Sequence, residues 1–104
     1  MTVISVQGKL DATTAQEATA CFDKEIEAGD VKLVIDLGAV TYISSAGIRA
    51  VLAAAQNARS AGGDVRLAGA EGNIQRTLEM VGFTRMMAAF DSTDGAVASY
   101  SSPK

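Results

Sequence analysis

The chain alternates between short β-branched runs and longer segments with helical spacing of apolar residues. Residues 2–6 form the first run, and residues 31–37 form the strongest, because they are apolar at nearly every position. Such a run is typical of a central strand covered on both faces. A loop is predicted at residues 38–43, and two further short strands at 65–68 and 86–90. Four strand–helix units imply an α/β fold with a small, mostly parallel sheet of about four strands and about four helices.

Helix boundaries are predicted from caps and glycines. Thr14 is the predicted N-cap of the first helix, in a capping box with Glu17, and Gly29 ends that helix. A second helix starts near Ser44 or Ser45 and ends before Gly62. Asn73 is the predicted cap of a third helix, which carries Ile74, Leu78 and Val81 and ends at Gly82. Asp91 or Ser92 is the predicted cap of a last helix.

Composition limits the chemistry that one domain of residues 1–104 can perform. The absence of histidine excludes Ser-His-Asp and Cys-His nucleophile systems and histidine-ligated zinc. The net charge is −3 and the basic residues are scattered, which argues against nucleic-acid binding. No clustered set of carboxylates and no phosphate-binding glycine motif is present. The sequence therefore predicts no enzymatic activity, no cofactor and no metal.

Three further expectations concern the setting of the protein. The lone Cys21 lies in an apolar helical stretch and is predicted to fill the core of a protein from a reducing compartment. No apolar run is long enough to span a bilayer, and the first residues lack the features of a signal peptide. We therefore expect a cytoplasmic protein without membrane insertion, with residues 101–104 frayed.

The segment after the central strand is the first place to look for function, because sites in open α/β sheets lie beyond the carboxyl ends of strands. Ser44 and Ser45 lie there at a helix start, where backbone amides lack partners and the helix dipole favours negative charge. Ala46 and Gly47 keep that surface small. On local grounds alone, Ser44 is a simple helix cap.

The same segment carries a family resemblance. Residues 34–37 (VIDL) followed by residues 41–48 (TYISSAGI) resemble the signature of STAS domains, and in particular of bacterial anti-sigma factor antagonists. Supporting pieces are GKLD at residues 8–11, AGG at 61–63 and LEMVGF at 78–83. Together they extend over roughly residues 3–100.

The resemblance implies a function. Members of the family bind an anti-sigma factor that is also a serine kinase, and phosphorylation of a serine at the start of the helix after the central strand abolishes that binding. A metal-dependent phosphatase reverses the modification. The family's Asp-Ser-Ser-Gly pattern, aligned on Gly47, places the phosphorylated serine at Ser45. Ser44 replaces the usual aspartate and is the alternative acceptor.

Further residues follow from the same resemblance. The residues predicted to face the partner are Ile43, Ser44, Ala46, Gly47, Ile48 and Arg49. Ile48 has the helical spacing of the core residues, so it is alternatively a core residue. Arg49 is alternatively an ordinary solvent-exposed arginine of the helix.

Asp36 is interpreted independently of the resemblance. It lies at a strand end, like the functional aspartate of two-component receiver domains, but the acidic pair and the later lysine that such a site needs are missing. Asp36 is therefore predicted to organise the loop through backbone amides.

Two alternatives stay open on the sequence. The chain lacks the short strand that relatives often carry before the segment at residues 3–6, which predicts an exposed sheet edge and a second copy of the chain as a candidate partner. The rival function lies inside the family: an unphosphorylated STAS subunit or scaffold of a larger complex, such as a lipid-transport or stress-sensing assembly.

Overall fold

The computed structural model contains four strands and five helices and describes residues 1–101 apart from the side chains of residues 84 and 101. This confirms the predicted α/β fold; one of the helices is a single turn. The expectation of a frayed end falls mainly on residues outside the described range. The elements are β1 Thr2–Leu10, α1 Ala12–Glu27, β2 Lys32–Ile43, α2 Ser45–Ser60, β3 Asp64–Ala68, α3 Gly72–Met80, α4 Phe83–Met86, β4 Ala89–Phe90 and α5 Thr93–Ser101.

The strands form one sheet in the order β1-β2-β3-β4, so neighbours in the chain are neighbours in space. All three pairings among the described residues are parallel. Parallel neighbours need a crossover connection, and the helices between the strands supply it. The predicted sheet of four mostly parallel strands is confirmed.

β2 is longer than the sequence predicts, and the expected loop at residues 38–43 is wrong. The strand continues to Ile43 because β1 pairs with it throughout, from Thr2 opposite Leu33 to Leu10 opposite Ile43. Two register irregularities, between Ser5 and Gln7 and between Gly8 and Lys9, accommodate the extra residues of β2. Such bulges are set by long-range pairing, which local turn signals do not report.

The sheet is covered on both faces at its centre, as the apolar run at residues 31–37 predicts. One face carries Leu33, Ile35 and Leu37 into the main core, against α1, α2 and α3. The opposite face carries Val34 and Ala68 against Ala96 of α5.

Tyr100 ties α5 to the middle of the sheet. Its hydroxyl is within 2.8 Å of the carbonyl oxygens of both Leu33 and Asp64, so its proton can be shared between two neighbouring strands. The guanidinium of Arg66 lies 3.9 Å from the ring centroid. Burial raises the pKa of Tyr100 to about 12.

Three cap and core predictions are corrected. α1 begins at Ala12 with Asp11 as its N-cap, so Thr14 is the third helical residue and not the cap. α3 begins at Gly72, and Asn73 lies inside it. Cys21 is exposed, because its neighbour Phe22 takes the buried position on α1.

The end of α3 also differs from the prediction. Gly82 has the expected left-handed backbone, with φ of 80°, but Val81 lies beyond the helix and is exposed. The chain then makes the single turn α4, which shortens the predicted strand at residues 86–90 to Ala89–Phe90.

Candidate functional site

β1 and β2 end side by side, and each leads directly into a helix. Leu10 pairs with Ile43 at the ends of the two strands, Asp11 caps α1, and Ser44 caps α2. The starts of α1 and α2 therefore share the carboxyl edge of the sheet, where sites in α/β folds lie.

Ser44 holds the start of α2 in place. Its hydroxyl accepts a hydrogen bond from the backbone N–H of Gly47 at 3.3 Å and lies 3.4 Å from the carbonyl oxygen of Leu10. Its own N–H donates to that same carbonyl at 2.9 Å. The half-buried Ser44 side chain is thus engaged on both sides, by α2 and by the end of β1.

Ser45 is the first residue of α2 and is exposed. Within the described part of the chain its hydroxyl makes no hydrogen bond to another group, in contrast to that of Ser44. The first turn of α2 carries no acidic residue. Because a helix start bears unpaired amides and a positive partial charge, the position favours an added negative group.

Gly47 fixes how closely α2 approaches β1. A Cβ atom at this position would lie 2.4 Å from the carbonyl oxygen and 2.8 Å from Cγ of Leu10. These distances are shorter than van der Waals contact, so a side chain at this position would force the backbone of α2 or β1 to move. The glycine therefore allows the close packing that positions the two serines.

The residues predicted to face the partner divide into buried and accessible ones. Ile43 and Gly47 are buried, and the half-buried Ile48 packs against the main core, so these three support the site from beneath. Arg49 is exposed and Ala46 is half-buried, so with Ser45 they form the surface available to a partner.

α1 contributes residues that the sequence did not bring to the site. An open groove between α1 and α2 runs past Ala46 and Arg49, and its other wall comes from α1. The spacing of these α1 residues is helical, but the sequence alone does not show that this face of α1 lies toward α2. The groove is lined by Ala12, Ala15, Gln16, Thr19, Ala46, Arg49, Ala50 and Ala53.

Asp36 lies inside β2, several residues before Ser44 and Ser45 in the sequence. Its Oδ1 accepts a hydrogen bond from the N–H of Gly38 at 2.9 Å, and its Oδ2 accepts one from the hydroxyl of Ser5 at 3.3 Å. The carboxylate therefore joins β1 to β2 next to the first register irregularity.

Asp11 gives the start of α1 a negative charge of its own. Its Oδ1 accepts from the N–H groups of Thr13 and Thr14, and the Thr14 hydroxyl accepts from the N–H of Asp11. The hydrogen bond from the Thr14 amide is the main reason why the pKa of Asp11 lies below its ordinary value.

The described residues form neither a metal-binding cluster nor a membrane-spanning helix. In residues 1–101 no three histidine, cysteine or acidic side chains are grouped so that they could hold a metal ion. No helix in the same range combines the length and apolar character needed to cross a bilayer.

Comparison with known proteins identifies the family. The pattern that defines the STAS domain matches residues 1–96, nearly the whole described chain. The chain belongs to the STAS domain family. A relative in Bordetella bronchiseptica, BtrV, is named as a candidate anti-sigma factor antagonist; it is 29% identical over 100 residues, which cover 96% of this chain and 86% of BtrV.

Three solved structures share the fold. A candidate anti-sigma factor antagonist of Thermotoga maritima superposes with a TM-score of 0.85 at 20% identity, covering 93% of this chain and 86% of the other. The antagonist SpoIIAA in its unphosphorylated form has a TM-score of 0.75 at 18% identity, covering 95% and 87%. The STAS domain of a SulP transporter from Vibrio cholerae gives 0.75 at 18%, covering 95% and 79%. At these identities the likeness shows the fold alone.

Proposed function

We propose that this protein is an anti-sigma factor antagonist that binds a serine-kinase anti-sigma factor while Ser45 is unmodified and releases it when Ser45 is phosphorylated. The observation that carries the proposal is the exposed hydroxyl of Ser45 on the first turn of α2, at a helix start with no acidic residue. Support comes from the relative BtrV, which is named as a candidate anti-sigma factor antagonist.

Ser45 is a better phosphoacceptor than Ser44 for two physical reasons. A kinase must reach the hydroxyl, and Ser45 is exposed while Ser44 is half-buried. The hydroxyl of Ser44 also caps Gly47 and approaches the carbonyl of Leu10, so its modification would remove contacts that hold α2 in place. A phosphate on Ser45 leaves those contacts intact.

The switch acts through charge and volume at the surface. A phosphoserine carries about −1.5 to −2 charges at pH 7 and three acceptor oxygens. An unpaired or like-charge contact within a closely packed interface costs several kcal/mol. A hundredfold loss of affinity requires only about 2.7 kcal/mol. Phosphorylation can therefore release the partner without refolding either protein.

The remaining roles complete a reversible cycle. A metal-dependent serine phosphatase restores the hydroxyl, and free antagonist returns to the kinase. The antagonist is the substrate of both enzymes and is not itself an enzyme. We place the cycle in the cytoplasm, where it regulates transcription.

A second copy of the chain is a further proposed partner, through β1. This strand lies at one edge of the sheet in the described residues, and each of its residues from Thr2 to Lys9 is at least partly exposed. Unpaired backbone groups along an edge strand favour pairing with another strand. Homodimers would join two sheets at this edge, away from β3 and β4.

The test is phosphorylation by the purified anti-sigma factor serine kinases of the source organism with ATP and Mg²⁺, with the site mapped by mass spectrometry. We expect one phosphate on the wild type and on Ser44→Ala, and none on Ser45→Ala. Phosphate on Ser44, or on neither serine with any of the kinases, would contradict the proposed acceptor. In the second case the chain is better described as an unphosphorylated STAS subunit of a larger complex. The same fold in the STAS domain of a SulP transporter leaves room for that role.

A further inference from the structure

The groove between α1 and α2 is lined mainly by small side chains. Five of its eight lining residues are alanine, and Arg49 is the only charged one. Ala15 and Ala50 lie almost completely buried, with 7% of each surface exposed. Small residues at its floor leave the groove open to side chains from another molecule.

Arg49 differs from two other arginines, which form ion pairs within the fold. Arg59 and Arg66 both pair with Asp64, at 2.9 Å and 3.8 Å. The structure gives Arg49 no ion pair among residues 1–101, and its side chain is exposed on the groove wall. A cation available at the edge of an apolar groove is complementary to a carboxylate on whatever occupies the groove.

Arg49 is also the cation nearest in the helix to Ser45. Residues four apart in an α-helix lie on the same face, with about 5–6 Å between their Cβ atoms. Arginine binds phosphate through two parallel hydrogen bonds, which are about twice as strong as those between neutral groups. A phosphate on Ser45 would therefore lie within reach of the Arg49 guanidinium.

From these observations we infer that the α1–α2 groove binds an acidic segment of the partner kinase, with Arg49 as the anchor for one of its carboxylates. The inference rests on the proposed function. In the phosphorylated protein, the phosphate on Ser45 pairs with Arg49 and competes with that carboxylate. Phosphorylation then weakens the complex in two ways, by adding a charge to the interface and by occupying its anchor.

The test is the dissociation constant of the purified kinase for unmodified wild type, Arg49→Gln and Arg76→Gln, measured by calorimetry. Arg76 is an exposed arginine of α3 outside the groove, so its variant is matched in charge. We expect Arg49→Gln to weaken binding about tenfold and Arg76→Gln to change it by less than about twofold. Arg49→Gln should also reduce the loss of affinity between about 0.05 and 0.5 M salt.

The outcomes separate this inference from the function on which it rests. If the wild type binds and Arg49→Gln binds equally well, the inference is overturned and the proposed function stands. An equal loss in both variants would also overturn it, because the effect would then be one of net charge. If the wild type binds none of the kinases, the proposed function fails and takes the inference with it.

Discussion

The starts of α1 and α2 lie next to each other at one edge of the sheet, but their N-cap residues differ in charge. α1 is capped by Asp11, whose carboxylate accepts two backbone N–H groups, and Thr14 closes the capping box. α2 is capped by the neutral Ser44, which accepts one N–H at 3.3 Å. Both helices lack an acidic residue in the first turn, so only α1 has a negative charge at its start.

This difference in charge indicates that the start of α1 is purely structural, whereas the start of α2 can be modified. At α1 the negative charge that the helix dipole favours is built into the sequence. At α2 that charge is missing, and the next residue, Ser45, presents an exposed hydroxyl to which a kinase can add it. A phosphate would supply at α2 what Asp11 supplies at α1, and it would do so on the outer surface.

The largest expected effect concerns the packing that holds α2 against β1. Gly47→Ala places a Cβ 2.4 Å from the carbonyl oxygen of Leu10, and we expect it to lower the free energy of unfolding by about 2 kcal/mol. Urea denaturation followed by circular dichroism measures this. Gly95→Ala is the matched control, because its new Cβ comes no closer than 3.5 Å to the atoms around it.

Gly95→Ala should stabilise the protein by about 0.5–1 kcal/mol, since alanine is the better helix former. Similar changes in the two variants would show that Gly47 is not in close contact with β1. The positions of both serines would then need another explanation.

The two caps should differ in strength. Asp11→Ala removes an acceptor for two amides, whereas Ser44→Ala removes an acceptor for one. We expect melting temperatures lower by roughly 5 °C and 3 °C, respectively, measured by differential scanning calorimetry. A larger effect at Ser44 would reverse the comparison and make the start of α2 the more structural of the two.

Acid provides a second arm of the same experiment. The pKa of Asp11 is lower in the folded protein than its ordinary value, so its contribution is complete at neutral pH and is lost as the pH falls through the folded-state pKa. The difference between wild type and Asp11→Ala should therefore shrink between about pH 5 and pH 2. The difference for Ser44→Ala should stay constant, because a hydroxyl does not titrate there.

The smallest expected effect tests whether α2 accepts negative charge. Ser45 and Ala12 are the first residues of their helices, so Ser45→Asp and Ala12→Asp are matched changes. We expect Ser45→Asp to raise the free energy of unfolding by about 0.5 kcal/mol and Ala12→Asp to raise it by less than half as much, because Asp11 is already charged. Destabilisation by Ser45→Asp would mean that the start of α2 does not tolerate charge.

Much of this site could be predicted from the sequence. The apolar run at residues 31–37 marks a central strand because burial on both faces requires apolar side chains at consecutive positions, as Val34 and Ile35 show. Ser44 and Ser45 could be placed at a helix start because capping is a local property of the chain. The choice of Ser45 as phosphoacceptor came from the family resemblance and stays a prediction.

Other parts depended on contacts that the sequence does not reveal. β2 reaches Ile43 because β1 pairs with it through two irregularities, and that pairing joins residues about thirty positions apart. Asp11 and Thr14 are both suitable caps, and the structure uses the carboxylate as the cap and the hydroxyl three residues later. The α1 wall of the groove likewise depends on the packing of α1 against α2, which local spacing does not place beside Arg49.

The most direct test of the central claim is the dissociation constant of the partner kinase for the chain with Ser45 unmodified and with Ser45 fully phosphorylated. Isothermal titration calorimetry on both forms, with mass spectrometry to verify the phosphate, provides the two values. We expect phosphorylation to raise the dissociation constant at least about a hundredfold, equivalent to about 2.7 kcal/mol, with the circular dichroism spectrum unchanged. Equal affinities of the two forms would contradict the proposed switch.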